Sequence, residues 1–273
     1  PSLDYIILGS LTENTDHTGR FLQNSGLVFE RKPDGNFALS FSQAKTLLPT
    51  YDVFDESRYF FFFFESKVFN SKTGIKFGIS VCEDAWFDDQ HRGINDGRKL
   101  YPRDPSVSLK GCDILFNLSA SPFELNKNVR RIEMVSLSAK KVDAPLIYVN
   151  QVGGNDEILF DGASMVCSPN GTKLFELPHF KSALGLVELV QNPGSKKFDS
   201  LNSDSSTVLL FDKNVWSQTS NVNTNSLPTA SNVNADSSIE LLCDGLVLGI
   251  RDYFYKTGFS SAVLGLSGGI DSA

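Results

Sequence analysis

Three short apolar runs constrain the fold most: IKFGISV at 75–81, DILFNL at 113–118 and PLIYV at 145–149. Each has the length and apolar density of a buried strand, and each breaks off abruptly into polar residues. The first runs into Cys82, the second into Ser119, Ala120 and Ser121, and the third into a polar stretch, 150–157. Between the second and third runs, residues 126–142 carry Val129, Ile132, Val135, Leu137 and Ala139 among charges at roughly helical spacing. Two turn signals, KPDG at 32–35 and SPNG at 168–171, sit between strand-like segments (26–30 with 36–41, and 163–167 with 173–177) and predict hairpins. Residues 5–8 predict a further strand, and so does the phenylalanine-rich run YFFFFF at 59–64, bounded by Arg58 and Glu65. Buried strands alternating with a helix, plus hairpins, predict an α/β sandwich rather than an all-β domain.

The pattern changes at residue 191. From 191 to 238 the chain is rich in Asn, Ser, Thr and Asp, the clearest apolar cluster being 208–211. Such a composition buries little surface and predicts a polar linker. Beyond it, IELLCDGLVLGIRDYFYK (239–256) has a helical apolar pattern and 262–266 predicts a short strand. The expected organisation is a domain over 1–190, a linker over 191–238 and the opening of a second domain over 239–273. The start, PSLDYIILGS, has neither an initiator Met nor a charged segment before an apolar one, and predicts a chain beginning inside a domain rather than at a signal peptide.

At 273 residues and 41% hydrophobic, the chain has enough apolar surface for a sizeable core. Its formal charge of −7 argues against nucleic acid or an anionic membrane as partner. No apolar run approaches the roughly 20 residues of a membrane span. Cys82, Cys112, Cys167 and Cys243 are scattered, and His17, His91 and His179 share no ligand spacing with them. A disulfide framework or a structural metal site is therefore not expected, and a reducing, cytoplasmic setting is.

Chemistry concentrates at a few places. Cys82, in GISVCEDAW, ends a buried strand, where a rigid scaffold presents a nucleophile to an open cleft. Glu83 and Asp84 beside it do not suit an inert apolar core. LGLSGGIDSA at 264–273 reads as strand, glycine-rich turn and helix start, a pattern whose backbone N–H groups cradle phosphate. It lacks the lysine of a Walker A loop.

Five strings in order carry a resemblance: KTLLPTYDVFDESRYF from Lys45, VCEDAW around Cys82, NLSASPF, YVNQVGGNDEILFDGAS and GFSSAVLGLSGGIDSA. Together they resemble glutamine-dependent NAD synthetases, in which a nitrilase-like glutaminase domain is fused to an ATP-pyrophosphatase domain. The resemblance covers nearly the whole chain except the polar linker, and identifies it as an internal fragment. It implies an α-β-β-α sandwich, N-terminally incomplete, followed by the first helix and strand of an adenine nucleotide α-hydrolase-like domain.

It also implies site residues. Cys82 is the expected nucleophile, Lys45 the cation that stabilises the tetrahedral intermediate, and Glu56 a glutamate that orients the lysine. The general-base glutamate is expected upstream of this chain, since Glu13 and Glu30 fit that role poorly. Glutamine is expected to meet Tyr51, Glu83, Trp86, Ser121 and Lys127. Gly265, Leu266, Ser267, Gly268, Gly269, Ile270, Asp271 and Ser272 match the SGGxDS loop that binds ATP. Asn150, Gln151, Gly153 and Gly154 are expected near the active site or the ammonia exit, while Asp156, Glu157 and Asp161 match without an assigned role. ATP, Mg2+, glutamine and deamido-NAD are the implied reactants, and a homo-oligomer the implied assembly. A free-standing amidohydrolase leaves SGGIDS unexplained. Other SGGxDS amidotransferases lack KTLLPTY and VCEDAW, and an inactive scaffold does not account for Lys45 and Cys82 together.

Overall fold

The computed structural model describes residues 3–16, 18–89, 100–191, 198–202, 207–210 and 236–270. Three antiparallel strands come first: β1 (Tyr5–Glu13), β2 (Leu22–Arg31) and β3 (Phe37–Ala44), in spatial order β1-β2-β3. The KPDG turn joins β2 to β3 as expected, with Gly35 at φ +87 and Arg31 opposite Phe37. A single helical turn, α1 (Glu56–Tyr59), leads to β4 (Val68–Asn70) and β5 (Lys76–Val81). β6 (Ile114–Ser119), α2 (Lys127–Val142) and β7 (Leu146–Asn150) follow. The hairpin β8 (Val152–Asn155) and β9 (Ile158–Asp161) and the SPNG hairpin, β10 (Met165–Cys167) and β11 (Lys173–Glu176), come after them.

The second sheet has the order β11-β10-β7-β6-β5-β4, and its centre, β5-β6-β7, is parallel. Those three strands are the three apolar runs, so all break off at one edge of one sheet. Val81 pairs with Leu118 and Ser119 with Asn150, which brings Cys82, Ser119 and Asn150 to the same end. In open α/β sheets this carboxyl end is where ligands bind.

Three layers result. Val28, Phe77, Ile79, Ile114 and Leu118 fill the space between the sheets, with Tyr5, Ile7, Phe41 and Phe69 packed against them. The approach is close at Gly26 of β2, where a Cβ would lie 2.5 Å from Ile79 Cγ2. On the other side, Val135, Ala139 and Val142 of α2 pack on Leu115, Leu146, Tyr148 and Met165. No helix layer covers the first sheet among the described residues, and Leu8, Leu11 and Leu39 are exposed there.

Three expectations are corrected. The run 59–64 is not a buried strand: only Phe60 forms a bridge, to Leu22, and Tyr59, Phe62 and Phe64 are exposed. Residues 262–266 form no strand; they are exposed, without a neighbouring strand among the described residues. Strand pairing also extends into the stretch expected as linker: β12 (Ala183–Leu186) pairs with β15 (Thr207–Leu210), and β13 (Leu189–Gln191) with β14 (Phe198–Leu201). Residues 211–235 of that stretch lie outside the described residues. The last element, α3 (Asp236–Thr257), packs on β8 and β9. No described helix is long and apolar enough to cross a membrane.

Candidate active site

β5 delivers Cys82 and passes at once into a 3-10 turn, Cys82–Trp86. Cys82 takes φ +44, a left-handed conformation that costs a non-glycine residue on the order of 1 kcal/mol. The surroundings hold it there. The Asn117 side-chain amide donates to Cys82 O at 3.4 Å and to Ser80 Oγ at 2.9 Å, and the Ser119 hydroxyl donates to Asn117 Oδ1 at 2.7 Å. Cys82 is half-buried, whereas Cys112 and Cys167 lie in the core, where burial pushes the Cys112 thiol up to about 12.

Lys45 follows β3 directly and is buried, its backbone N–H donating to Asn24 O at 2.7 Å. Its Nζ donates to Glu56 Oε1 at 2.7 Å, and Glu56 is fixed in turn by its N–H on Pro49 O. Burial pulls the ammonium down, but the charges of Cys82 and Glu56 outweigh it and hold Lys45 above the usual lysine range. Lys45, Glu56 and Cys82 therefore share one electrostatic neighbourhood.

What aligns the lysine with the cysteine is Asp84. Its Oδ1 accepts the Thr46 and Leu47 N–H groups at 3.0 and 2.9 Å, and its Oδ2 accepts the Val81 N–H at 3.0 Å. One carboxylate thus ties the residues after Lys45 to the residue before Cys82. Burial pushes Asp84 up to about 6, against the pull of these N–H groups and Lys45. The sequence marks Asp84 only as an acid beside the cysteine.

The other expected residues cluster around this edge. Glu83 is buried and its Oε1 accepts Tyr51 OH at 2.7 Å and Tyr101 OH at 3.0 Å; Tyr101 carries no motif that marks it in the sequence. Trp86 packs with Ala85 and Met134, and Lys127 Nζ lies 5.7 Å from the Trp86 ring while donating to Pro122 O at 2.9 Å. The Ser121 N–H donates to Asn150 Oδ1 at 2.9 Å.

Below them lies an ion pair the sequence does not reveal. Arg131 of α2 makes two parallel bonds of 2.7 Å to Asp161 at the end of β9, both residues being fully buried. Burial would raise Asp161, but His179 and Arg131 together hold it below the usual carboxylate range. Asp156, by contrast, sits at φ +50 in the exposed turn between β8 and β9, beside the exposed Glu157.

The remaining glutamates are elsewhere. Glu30 accepts Tyr5 OH at 3.1 Å, near the end of β2 opposite to the one beside Lys45, and Glu13 is exposed at the end of β1. The glycine-rich segment stands apart in character. Gly265 to Ile270 are all exposed, with Gly268 at φ +82 and the Gly269 N–H donating to Ser267 Oγ at 3.4 Å. Asp271 and Ser272 lie outside the described residues. No group of three His, Cys, Asp or Glu that could hold a metal occurs among the described residues.

The chain matches known proteins along most of its length. The family model for carbon-nitrogen hydrolases matches residues 4–192, and that for NAD synthases matches residues 242–273. A glutamine-dependent NAD(+) synthetase of Synechocystis sp. is 39% identical over 231 residues, covering 84% of this chain and 35% of that protein. One from Thermotoga maritima is 35% identical over 242 residues, covering 84% and 38%. The chain thus spans little more than a third of the length of these curated relatives. Among solved structures, glutamine-dependent NAD+ synthetase from Acinetobacter baumannii in complex with ADP superposes with a TM-score of 0.66 at 29% identity, covering 98% of this chain and 41% of that one. With the family match running from β1 through β13, and a cysteine and a lysine held together at the carboxyl edge of its central sheet, the chain belongs to the carbon-nitrogen hydrolase family.

Proposed function

We propose that this chain is the glutaminase part, and the beginning of the synthetase part, of a glutamine-dependent NAD synthetase. The observation that carries the reading is Lys45, buried, bonded to Glu56 and tied through Asp84 to the turn that begins at Cys82, in a chain whose end matches NAD synthases. In this reading the Cys82 thiolate attacks the side-chain amide carbon of glutamine, forming a C–S bond. The oxygen of the tetrahedral intermediate gains the negative charge, and the Lys45 ammonium stabilises it in a site with little water to compete. The general base, having taken the thiol's proton, passes it to the amide nitrogen as the C–N bond breaks and ammonia leaves, and water then hydrolyses the thioester to glutamate. Glu56 orients Lys45. Glu83, with Tyr51 and Tyr101, offers a charged anchor for the substrate ammonium, and Lys127 one for its carboxylate, with Ser121 and Trp86 shaping the wall.

The ammonia is consumed in the synthetase part. There ATP, with Mg2+, adenylates the carboxylate of deamido-NAD with release of pyrophosphate, and ammonia displaces AMP to give NAD. Gly265, Leu266, Ser267, Gly268, Gly269, Ile270, Asp271 and Ser272 are assigned to the ATP phosphates. We place the enzyme in the cytoplasm, as a homo-oligomer when full length, with the glutaminase part over 1–190, the synthetase part opening at 239–273 and the stretch between them contributing β14 and β15 to the strand pairing of the first part. We assign the general base to a glutamate of the full-length enzyme that is not among residues 1–273.

The test is NAD formation from deamido-NAD and ATP by the full-length enzyme, with glutamine and then with an ammonium salt. Cys82→Ala is expected to cut the glutamine-driven rate by more than about a thousandfold and to leave the ammonium-driven rate unchanged. Equal loss of both would overturn the two-site reading.

A further inference from the structure

α3 meets the glutaminase fold chiefly at the β8–β9 hairpin, with Gly245 also lying against the Phe180 ring. Asp252, 1% exposed, accepts the Gly154 N–H at 2.9 Å, and one turn later Lys256 Nζ donates to Gly154 O at 2.5 Å and to Asn155 Oδ1 at 3.1 Å. Both backbone groups of Gly154 are thus taken by side chains of the same helix. The helix lies almost on the backbone of the hairpin. A Cβ on Gly154 would stand 3.4 Å from Gly249 Cα, and one on Gly249 would stand 2.9 Å from Leu159 Cδ2. A carboxylate as deeply buried as Asp252 is retained only against specific donors, because the desolvation is costly.

The other end of the same hairpin is built into the candidate active site. Asn150, at the foot of β8, accepts the Ser121 N–H and donates to Gly162 O at 2.9 Å. β9 takes the Phe123 N–H on Leu159 O at 2.7 Å and bridges Pro122 through Phe160. It ends on Asp161, which holds Arg131. Pro122 O in turn receives Lys127 Nζ. The segment carrying Ser121 and the anchor of Lys127 is therefore strapped to the hairpin along its length. Four residues of β-ladder, Val152 to Asn155 against Ile158 to Asp161, connect grip to site.

From this placement we infer that Asp252 and Lys256 are positioning residues for glutamine: through the β8–β9 hairpin, the first helix of the synthetase part sets the position of the Ser121–Lys127 wall of the glutaminase pocket. The inference rests on the proposed function for the identity of the substrate. Its consequence is that the glutaminase pocket is completed by a helix from the other domain, and a glutaminase fold with α3 detached binds glutamine loosely while its Lys45 and Cys82 stay in place.

The experiment uses the full-length enzyme and four forms: wild type, Lys256→Met, Asp252→Ala and Asp252→Asn. Glutamate release gives kcat and KM for glutamine, and NAD formation with an ammonium salt gives the synthetase activity independently. Asp252→Ala is expected to raise KM for glutamine about tenfold, Lys256→Met about threefold, each with kcat changed less than about twofold. Asp252→Asn retains an oxygen to accept the Gly154 N–H and is expected to restore most of the loss. Lys256 is exposed, so its variant keeps the test alive should Asp252→Ala not fold. Wild-type KM in both Asp252→Ala and Lys256→Met overturns the inference. So does a loss confined to coupling, in which more glutamine is spent per NAD at unchanged KM. A wild-type enzyme that hydrolyses glutamine but forms no NAD from ammonium would overturn the proposed function instead, and the KM comparison would still decide the role of the hairpin.

Discussion

Cys82 and Ser267 each follow a short apolar run that ends in small and polar residues. The first run lies inside the carbon-nitrogen hydrolase match and the second in the short NAD synthase match at 242–273, and their surroundings in this chain differ accordingly. The run before Cys82 is a strand with β4 on one side and β6 on the other, and the residues around the cysteine are bonded to three other segments. The run before Ser267 has no partner strand among the described residues, and every residue from Gly265 to Ile270 is exposed. A strand's backbone polar groups need neighbours, and a short strand supplies none for itself. The difference shows what a motif does and does not carry. It names the chemistry a turn is suited for, while the neighbouring elements decide whether its groups are held where that chemistry needs them.

The sharpest way to probe that contrast is to remove support beneath Cys82 without touching the site. Asp161→Asn leaves Arg131 buried with its charge uncompensated, a loss on the order of 3–5 kcal/mol of stability, read by denaturant unfolding. The pH dependence has a defined sign. Asp161 is held below its ordinary range, so its contribution is present at neutral pH and is lost as pH falls through its folded value, below the usual carboxylate range. Asp161→Asn is expected to flatten that acid limb of the stability profile. Unchanged stability in this variant would mean that the candidate site does not depend on its buried support, and the contrast with the glycine-rich loop would fail.

A smaller effect, placed closer to the chemistry, is expected at Asp84. Asn at that position offers one oxygen where the carboxylate offers two, so it cannot accept from Thr46, Leu47 and Val81 as before. A lost hydrogen bond to a charged group is worth about 1.5–3 kcal/mol, which predicts roughly a ten- to hundredfold fall in glutamine hydrolysis by the full-length enzyme. Ammonium-driven NAD formation is expected to stay unchanged. Burial pushes Asp84 up to about 6, so its carboxylate protonates as pH falls through that value and loses acceptor capacity. An acid limb in glutaminase rate near pH 6 should therefore be present in the wild type and absent from Asp84→Asn. On stability the sign is opposite to that of Asp161. A raised carboxylate favours the folded protein when protonated, so this contribution is gained as pH falls from about 6 towards the ordinary value.

These two residues also mark the limit of what could be read in advance. The three apolar runs are legible because a strand buried on both faces leaves a dense, short signature, and their polar ends mark the edge where Cys82, Ser119 and Asn150 gather. Lys45 and Glu56 are legible through the KTLLPTYDVFDESRYF string, and the structure joins them by one hydrogen bond. Asp84 is not legible as a clamp, because its partners are backbone N–H groups 38 and 37 residues away, and backbone donors have no sequence identity. The Arg131–Asp161 pair joins a helix to a hairpin 30 residues on, a meeting that only the folded chain creates. The run YFFFFF misleads for a related reason: six aromatic residues in succession carry no periodicity to tell a buried face from an exposed one, and three of them end in solvent.

The smallest expected effect lies at the other end of the comparison. Ser267 accepts the Gly269 N–H at 3.4 Å, a long bond at an exposed turn where water competes for both groups. Ser267→Ala in the 273-residue chain is therefore expected to change its unfolding free energy by no more than about 0.5 kcal/mol. The same substitution in the full-length enzyme should lower NAD formation with glutamine and with ammonium alike, since both routes pass through the ATP site, while glutamate release continues. That pattern is the mirror image of the one expected for Cys82→Ala, which loses the glutamine route alone. A stability loss of several kcal/mol in the short chain would show that the loop is packed as firmly as the cysteine turn, and the distinction between a named turn and a supported one would have to be given up for this protein.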